Sequence, residues 1–249
     1  MDLHKDERLD YLFFDQELKI IQSSRLFSFS LDSLLLAAFV YVPIQKGRLV
    51  DLCSGNGAIP LMLSRRTRGD IFGIELQAEV NEMARRSVNL NGLGERVKLI
   101  QADLKEAPER LGHESFDVVT CNPPYFSGSA ENEMKENERV AAARHELYTT
   151  LEDVVSVSGR MLKQGGKAAF VYPVEGVFDL MMLMRSNRLE PKRALWVYPK
   201  AGREANRVVI EGKKDAKPGI RVLPPLIVYN EDNRYTEELR EFCDITSTL

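Results

Sequence analysis

From residue 48 onward, apolar runs of five or six residues alternate with segments whose apolar positions recur at helical spacing. Arg48–Leu52, Asp70–Glu75, Val97–Gln101 and Phe116–Cys121 read as four strands. A helix from about Ala58 and another over Ala78–Leu90 fall between them. Such alternation predicts an α/β fold with a doubly wound, mostly parallel sheet covered on both faces. Residues 1–46 precede it as an N-terminal extension whose apolar stretch Leu31–Val42 reads as helical; residues 47–249 are expected to form the rest of a single domain. After the fourth strand the periodicity stops. Residues 126–146 are polar and charged, and a patternless stretch beside a strand end suggests a lid or binding loop, with plain disorder as the alternative. A helix over Leu151–Leu162, a turn at Gly165-Gly166, a strand over Lys167–Tyr172 and a helix over Val177–Asn187 follow. Two strands near Ala194–Tyr198 and Arg207–Glu211, with little between them, predict an antiparallel hairpin closing the sheet edge. Trp196, Met181, Met182 and Met184 have a spacing that suits core packing.

Composition narrows the class. The chain has 249 residues, 44% of them hydrophobic, enough for a full core. It carries no apolar run of membrane-spanning length, and its charged start lacks the apolar stretch of a secretory signal. Three scattered cysteines, Cys53, Cys121 and Cys243, predict neither a disulfide framework nor a zinc site, and no metal is expected. These features read as a soluble cytoplasmic protein. The net charge of −3 is unevenly spread: residues 185–221 hold eleven Lys or Arg against four Asp or Glu, a local +7. Such a stretch reads either as a phosphate-facing surface or as solvated faces of late elements.

The chemistry gathers at the predicted strand ends. Val50-Asp51-Leu52-Cys53-Ser54-Gly55-Asn56-Gly57 spans the first strand–helix junction, where glycines let a ligand approach the backbone. Glu75 ends the second strand 20 residues after Gly55, the place of a carboxylate that accepts ribose hydroxyls. A nicotinamide dinucleotide would need a third glycine where Pro60 stands, and a pyrophosphate is poorly served by Asp51 beside the turn. A cofactor with a cationic end and no phosphates, such as S-adenosylmethionine, suits these residues better. At the end of the third strand, Asp103 can accept an adenine amine and the Leu104 N–H can reach a ring nitrogen; Asp103 can equally be a helix N-cap. The fourth strand ends in Asn122-Pro123-Pro124-Tyr125. Neither proline can donate to a sheet, so the turn is stiff. The Asn122 side-chain oxygen and the Pro123 carbonyl can each accept one N–H of a flat amino group, with the Tyr125 ring, and Phe126 as a further candidate, to stack on it.

Asp51–Gly57, Glu75, Asp103 and Asn122–Tyr125 together resemble the cofactor and catalytic motifs of class I S-adenosylmethionine-dependent methyltransferases, in their amino-methylating branch. Phe27-Ser28-Phe29-Ser30-Leu31-Asp32 with Ser33–Leu36, Arg144-His145-Glu146-Leu147, and Tyr198–Arg203 with Arg207 are similar to the bacterial family that methylates an adenine N6 beside the anticodon of valine tRNA. The resemblance spans nearly the whole chain; Ser54 departs from the Gly or Ala common at its position. It implies a seven-stranded Rossmann-like methyltransferase sheet with an antiparallel edge hairpin. It also implies S-adenosyl-L-methionine held by Phe29, Asp32, Asp51, Ser54, Gly55, Asn56, Gly57, Glu75, Leu76, Asp103, Leu104 and Asn122. Catalysis is implied at Asn122, Pro123, Pro124 and Tyr125. The implied partner is tRNA, contacted by Arg144, His145, Lys200, Arg203 and Arg207. A carboxamide carries the same flat amino group as adenine. Methylation of a protein glutamine, of DNA adenine or of rRNA guanine N2 therefore stays open, as does a non-catalytic ligand-binding module.

Overall fold

Strands buried on both faces must be covered twice, and the two hydrophobic clusters of this protein show how. The computed structural model describes residues 3–13, 15–26, 28–123 and 149–244. Its main sheet is built from β3 (Arg48–Leu52), β4 (Asp70–Glu75), β5 (Val97–Gln101), β6 (Phe116–Cys121), β7 (Leu162–Pro173), β8 (Leu189–Lys200) and β9 (Arg207–Lys214). Their spatial order is β8-β9-β7-β6-β3-β4-β5. All pair in parallel except β9, which runs antiparallel between β7 and β8. Two short strands, β10 (Arg221–Val222) and β11 (Leu226–Tyr229), pair with β8 and extend the sheet beyond the seven strands expected. The hairpin of β8 and β9 forms as the sequence suggests, with β9 tucked inside rather than at the rim.

One face is covered by α1 (Leu31–Phe39), α2 (Ala58–Leu63), α3 (Ala78–Leu90) and α7 (Glu237–Phe242) around Leu35, Leu61, Ala84 and Val118. The other is covered by α4 (Ala107–Leu111), α5 (Leu151–Met161) and α6 (Val177–Ser186) around Val119, Val155, Phe170 and Leu180. Alternate residues of β3 and β6 feed opposite faces, as the two-residue period of a strand requires. Helix α5 starts at a reciprocal capping box between Thr150 and Asp153, which satisfies two orphan amides at the helix start.

Three readings need correction. The N-terminal extension holds an unforeseen antiparallel hairpin, β1 (Glu7–Leu12) and β2 (Asp15–Ser23). It leans on α3: the Ile21 N–H donates to Ser87 Oγ at 2.9 Å and the Lys19 N–H to Asn91 Oδ1 at 2.9 Å. Gly165-Gly166, expected as a turn, lies within β7, where pairing with β6 slips between Phe116 and Val118 and Gly165 takes φ +74°. On α6, Met184 is buried but Met182 is 70% exposed beside an equally outward Phe178. Adjacent helix positions point about 100° apart, so Val177, Leu180 and Met184 fill the inward row, with Met181 and Leu183 partly buried beside it.

Candidate functional site

The strands β3 to β8 share one direction, so their carboxyl ends share one edge of the sheet. That edge carries the turn after β3, Glu75, Asp103, Asn122 and the β8–β9 turn. In an open parallel sheet this is where ligands bind.

The β3–α2 turn is tightly wound. Cys53, Gly55 and Gly57 take φ of +57°, +53° and +84°. A left-handed cysteine is a costly conformation, held here by the Ser54 N–H bonded to the Ile74 carbonyl at 2.8 Å and the Gly57 N–H bonded to the Ser54 carbonyl at 2.9 Å. Gly57 has a packing reason as well: a Cβ there would stand 3.3 Å from Ala84 Cβ. The departure at Ser54 is matched by Gly73 on β4, where a Cβ would come within 2.9 Å of the serine Oγ.

Electrostatically the edge is rich in acceptors. Among the described residues, five buried side-chain polar atoms lack a hydrogen-bond partner, and four of them are Asp51 Oδ2, Ser54 Oγ, Asn56 Oδ1 and Asn122 Oδ1. The fifth, Asn81 Nδ2, is on α3. Buried polar atoms are almost always paired, so four orphans at one strand edge mark a place built for a ligand. The two amide oxygens can only accept, and Asp51 Oδ2 does so when ionised, so the matching ligand brings N–H groups or positive charge. Burial pushes the Asp51 carboxyl well above the usual range; the Thr120 hydroxyl opposes this and the nearby Glu75 adds to it. A bound cation would reverse that balance.

The remaining acids differ. Glu75 is buried, and its carboxylate accepts the Gly55 N–H and the Gln77 N–H, both at 2.9 Å. It thereby ties the β4 end to the glycine turn. Asp103 does cap a short 3-10 helix, accepting the Lys105 N–H at 2.9 Å, while remaining at the mouth of the edge beside the buried Leu104. Both readings of Asp103 are therefore compatible with its position. Leu76 is half-buried next to Glu75.

The segment before β3 reaches the same edge. The Phe29 N–H donates to Gln22 Oε1 at 3.1 Å, and its ring stands edge-on to Phe13 at 4.9 Å. Asn56 Nδ2 contacts the Ile21 carbonyl at 3.4 Å, so the unforeseen hairpin braces the glycine turn after β3. Asp32, in the first turn of α1, accepts from Arg207 Nε at 3.1 Å across 175 residues of chain. The resemblance implies different roles for these two residues, one toward the cofactor and one toward RNA.

The basic segment is not one surface. β8 runs from the amino edge to the carboxyl edge and β9 returns, so the cations are split between edges roughly 35–40 Å apart for a 12-residue strand. Lys200 and the exposed Arg203 flank the β8–β9 turn at the carboxyl edge. Arg188 is bound bidentately to Asp215 at the other end, and Lys214 is bonded to Glu114. Pro124, Tyr125, Phe126, Arg144 and His145 lie outside the described residues. Among the described residues no group of three or more His, Cys, Asp or Glu could hold a metal, and no helix is long and apolar enough to cross a membrane.

Sequence reasoning missed Thr120, whose hydroxyl donates to Asp51 Oδ1 at 2.7 Å. A hydroxyl inside an otherwise apolar strand was the available signal, since buried hydroxyls need partners.

A sheet of this order, with β9 reversed and acids, a glycine turn and Asn122 along its carboxyl edge, is the fold of class I methyltransferases. The model of the methyltransferase small domain family matches residues 17–152, more than half of the chain, and the chain belongs to that family. Relatives include the tRNA1(Val) (adenine(37)-N6)-methyltransferases of a Shewanella species (strain MR-4), 26% identical over 85% of this chain and 88% of the relative, and of Haemophilus influenzae (strain PittGG), 28% identical over 89% and 92%. Among solved structures, a predicted O-methyltransferase of Agrobacterium tumefaciens shares the fold with a TM-score of 0.69 at 21% identity, covering 88% of this chain and 98% of that one. A geranyl diphosphate C-methyltransferase of Streptomyces coelicolor, solved with S-adenosyl-L-homocysteine, gives a TM-score of 0.55 at 16% identity, with 73% and 74% covered.

Proposed function

We propose that this protein is an S-adenosylmethionine-dependent methyltransferase that modifies the exocyclic N6 of an adenine in tRNA, in the anticodon-loop region of valine tRNA. The observation that carries the reading is the buried, unpartnered Asn122 Oδ1 at the end of β6, followed by two prolines. The names of the relatives support the substrate, and the acceptor-lined edge supports the cofactor.

When bound, S-adenosylmethionine supplies a methyl group on a positively charged sulfur. The protein's part is to bind, orient and polarise. Asp51 Oδ2 is the acceptor for an ammonium, Glu75 for ribose hydroxyls and Asp103 for the adenine amine. Asn122 Oδ1 and the Pro123 carbonyl accept the two N–H bonds of the target amine, whose lone pair is otherwise conjugated into its ring. Holding those hydrogens favours a tetrahedral, cationic nitrogen, the charge that develops in the transition state. A carbonyl is too weak a base to remove the proton, so its loss follows methyl transfer.

The target base must leave its stack, which is cheaper in a loop than in a duplex. Tyr125 would then stack on it. Lys200 and Arg203 supply phosphate contacts at the carboxyl edge, with Arg144 and His145 as further RNA contacts; Arg207 contributes from its ion pair with Asp32. The direct test is incubation with labelled S-adenosylmethionine and either unmodified bulk tRNA or total cell protein, followed by nucleoside and amino-acid analysis. N6-methyladenosine in tRNA is expected. Label in protein alone moves the substrate to glutamine, and label in neither removes support for both substrates.

A further inference from the structure

Thr120 is completely buried in β6, in a strand otherwise supplied by Phe116, Val118, Val119 and Cys121 on its buried positions. In the register of the sheet it stands directly opposite Asp51 of β3, with Ala169 of β7 on its other side and Gly73 of β4 beyond Asp51. Neighbours in a parallel register point to the same face, so one hydroxyl and one carboxyl lie side by side between two positions that lack bulk. The Thr120 hydroxyl donates to Asp51 Oδ1 at 2.7 Å, and Asp51 Oδ2 is the oxygen left without a partner. A valine would fill nearly the same space; the hydroxyl adds only the hydrogen bond.

We propose that Thr120 is a positioning residue for the cofactor: its hydroxyl fixes the Asp51 carboxyl in the orientation that leaves Oδ2 as the acceptor for the ammonium of the cofactor's amino-acid part. The assignment rests on the S-adenosylmethionine reading above. The groups that face Asp51 explain why such help is needed. Glu75 from β4 raises the cost of ionising it, and the thiols of Cys53 and Cys121 offer no positive charge. Within this set Thr120 is the group that favours the ionised form, which is the form a cation binds.

The experiment compares two ligands by calorimetry on the full chain. S-adenosylhomocysteine carries the ammonium; 5′-methylthioadenosine has the same adenosine thioether without the amino-acid part. Thr120→Val is expected to weaken S-adenosylhomocysteine about tenfold, the scale of one hydrogen bond to a charged group. It should leave 5′-methylthioadenosine within about twofold by the same arithmetic. Thr120→Ser should restore the first affinity, and the loss in Thr120→Val should deepen as pH falls. If the valine variant does not fold, Thr120→Ala provides the same comparison. Equal losses for both ligands, or none for S-adenosylhomocysteine, would overturn the assignment. Wild-type protein that binds neither ligand would instead overturn the cofactor reading beneath it.

Discussion

The two edges of the main sheet are made from similar ingredients and arranged to opposite ends. Each has non-glycine residues in left-handed conformations: Cys53 at the carboxyl edge, and Glu114, Arg188 and Asp215 at the amino edge. Each also buries charge. At the amino edge the charges meet. Buried Lys214 donates to Glu114 Oε1 and to the Leu162 carbonyl, both at 2.8 Å, and Arg188 grips Asp215 with two bonds of 2.7 Å. Asp117, although partly buried, is held below the usual carboxylate range by the Arg48 N–H and by Lys163. At the carboxyl edge Asp51 Oδ2, Ser54 Oγ, Asn56 Oδ1 and Asn122 Oδ1 are buried without partners. Strain and buried charge therefore do not by themselves mark a binding site; what marks it is polar capacity left unused by the protein's own groups.

That contrast can be broken most sharply at Asn122. Asn122→Ala should lower methyl transfer by roughly 10²–10³-fold, the cost of removing one group aimed at transition-state charge. Binding of S-adenosylhomocysteine should change only slightly, and single-turnover kinetics beside calorimetry would separate the two. Retained turnover would return the orphan oxygen to structure.

Next in size is Asp51→Asn. It removes a buried charge and keeps the shape, so the ligand-free fold should be no less stable in thermal unfolding. Affinity for S-adenosylhomocysteine should fall about 10- to 100-fold, as for the loss of a charged hydrogen-bond partner.

The amino edge should respond in the opposite sense. Lys214→Met should cost about 1–3 kcal/mol in denaturant unfolding, since the Leu162 carbonyl loses its donor. Cofactor affinity should not move. A matching loss of affinity would show that the two edges are coupled.

The edges should also differ in pH dependence. Glu114 and Asp117 have lowered values, so their stabilisation is present above the unfolded carboxylate range and is lost as pH falls through their folded values. Asp51 is raised, so its contribution to the ligand-free fold is present below that range and is lost as pH rises through its folded value. A cation that binds ionised Asp51 releases a proton. Stabilisation by S-adenosylhomocysteine should therefore grow as pH rises from the ordinary carboxylate range through the raised folded-state value of Asp51, read as a Tm shift at fixed ligand concentration. Glu75, Cys53 and Cys121 face Asp51, and none supplies the charge that would flatten this dependence.

The smallest effect concerns the RNA. Replacing Lys200 and Arg203 by alanine should weaken tRNA binding and lower the slope of affinity against salt by about one for each phosphate no longer neutralised. The same change at Arg185 and Arg188, on the amino edge, should leave the slope alone. Salt-independent binding in the unaltered protein would remove the phosphate reading.

Much of the site was legible because its residues end strands. Asp51, Glu75, Asp103 and Asn122 each follow an apolar run, and runs of that kind can be read locally. The N-terminal hairpin was not legible. Its first strand is mostly exposed, and its pairing depends on Ser87 and Asn91 of α3, more than sixty residues away. The basic excess of residues 185–221 left two readings open, a phosphate-facing surface or solvated faces of late elements. A 12-residue strand carries neighbours in sequence to opposite edges, so the +7 is divided. Met182 failed as a core residue because a helix can turn only one stripe inward.

Between residues 48 and 121 the alternation of strands and helices, the glycine turn and the acids at strand ends could be read from local sequence, since hydrophobic period and turn chemistry act over a few residues. Which polar groups satisfy one another was settled by folding: Thr120 with Asp51, Glu75 with the Gly55 amide, Arg207 with Asp32. Those pairings depend on strand register and on which faces pack together. Such information belongs to the folded chain as a whole, and it is what separates an edge that is complete from one that is built to receive a ligand.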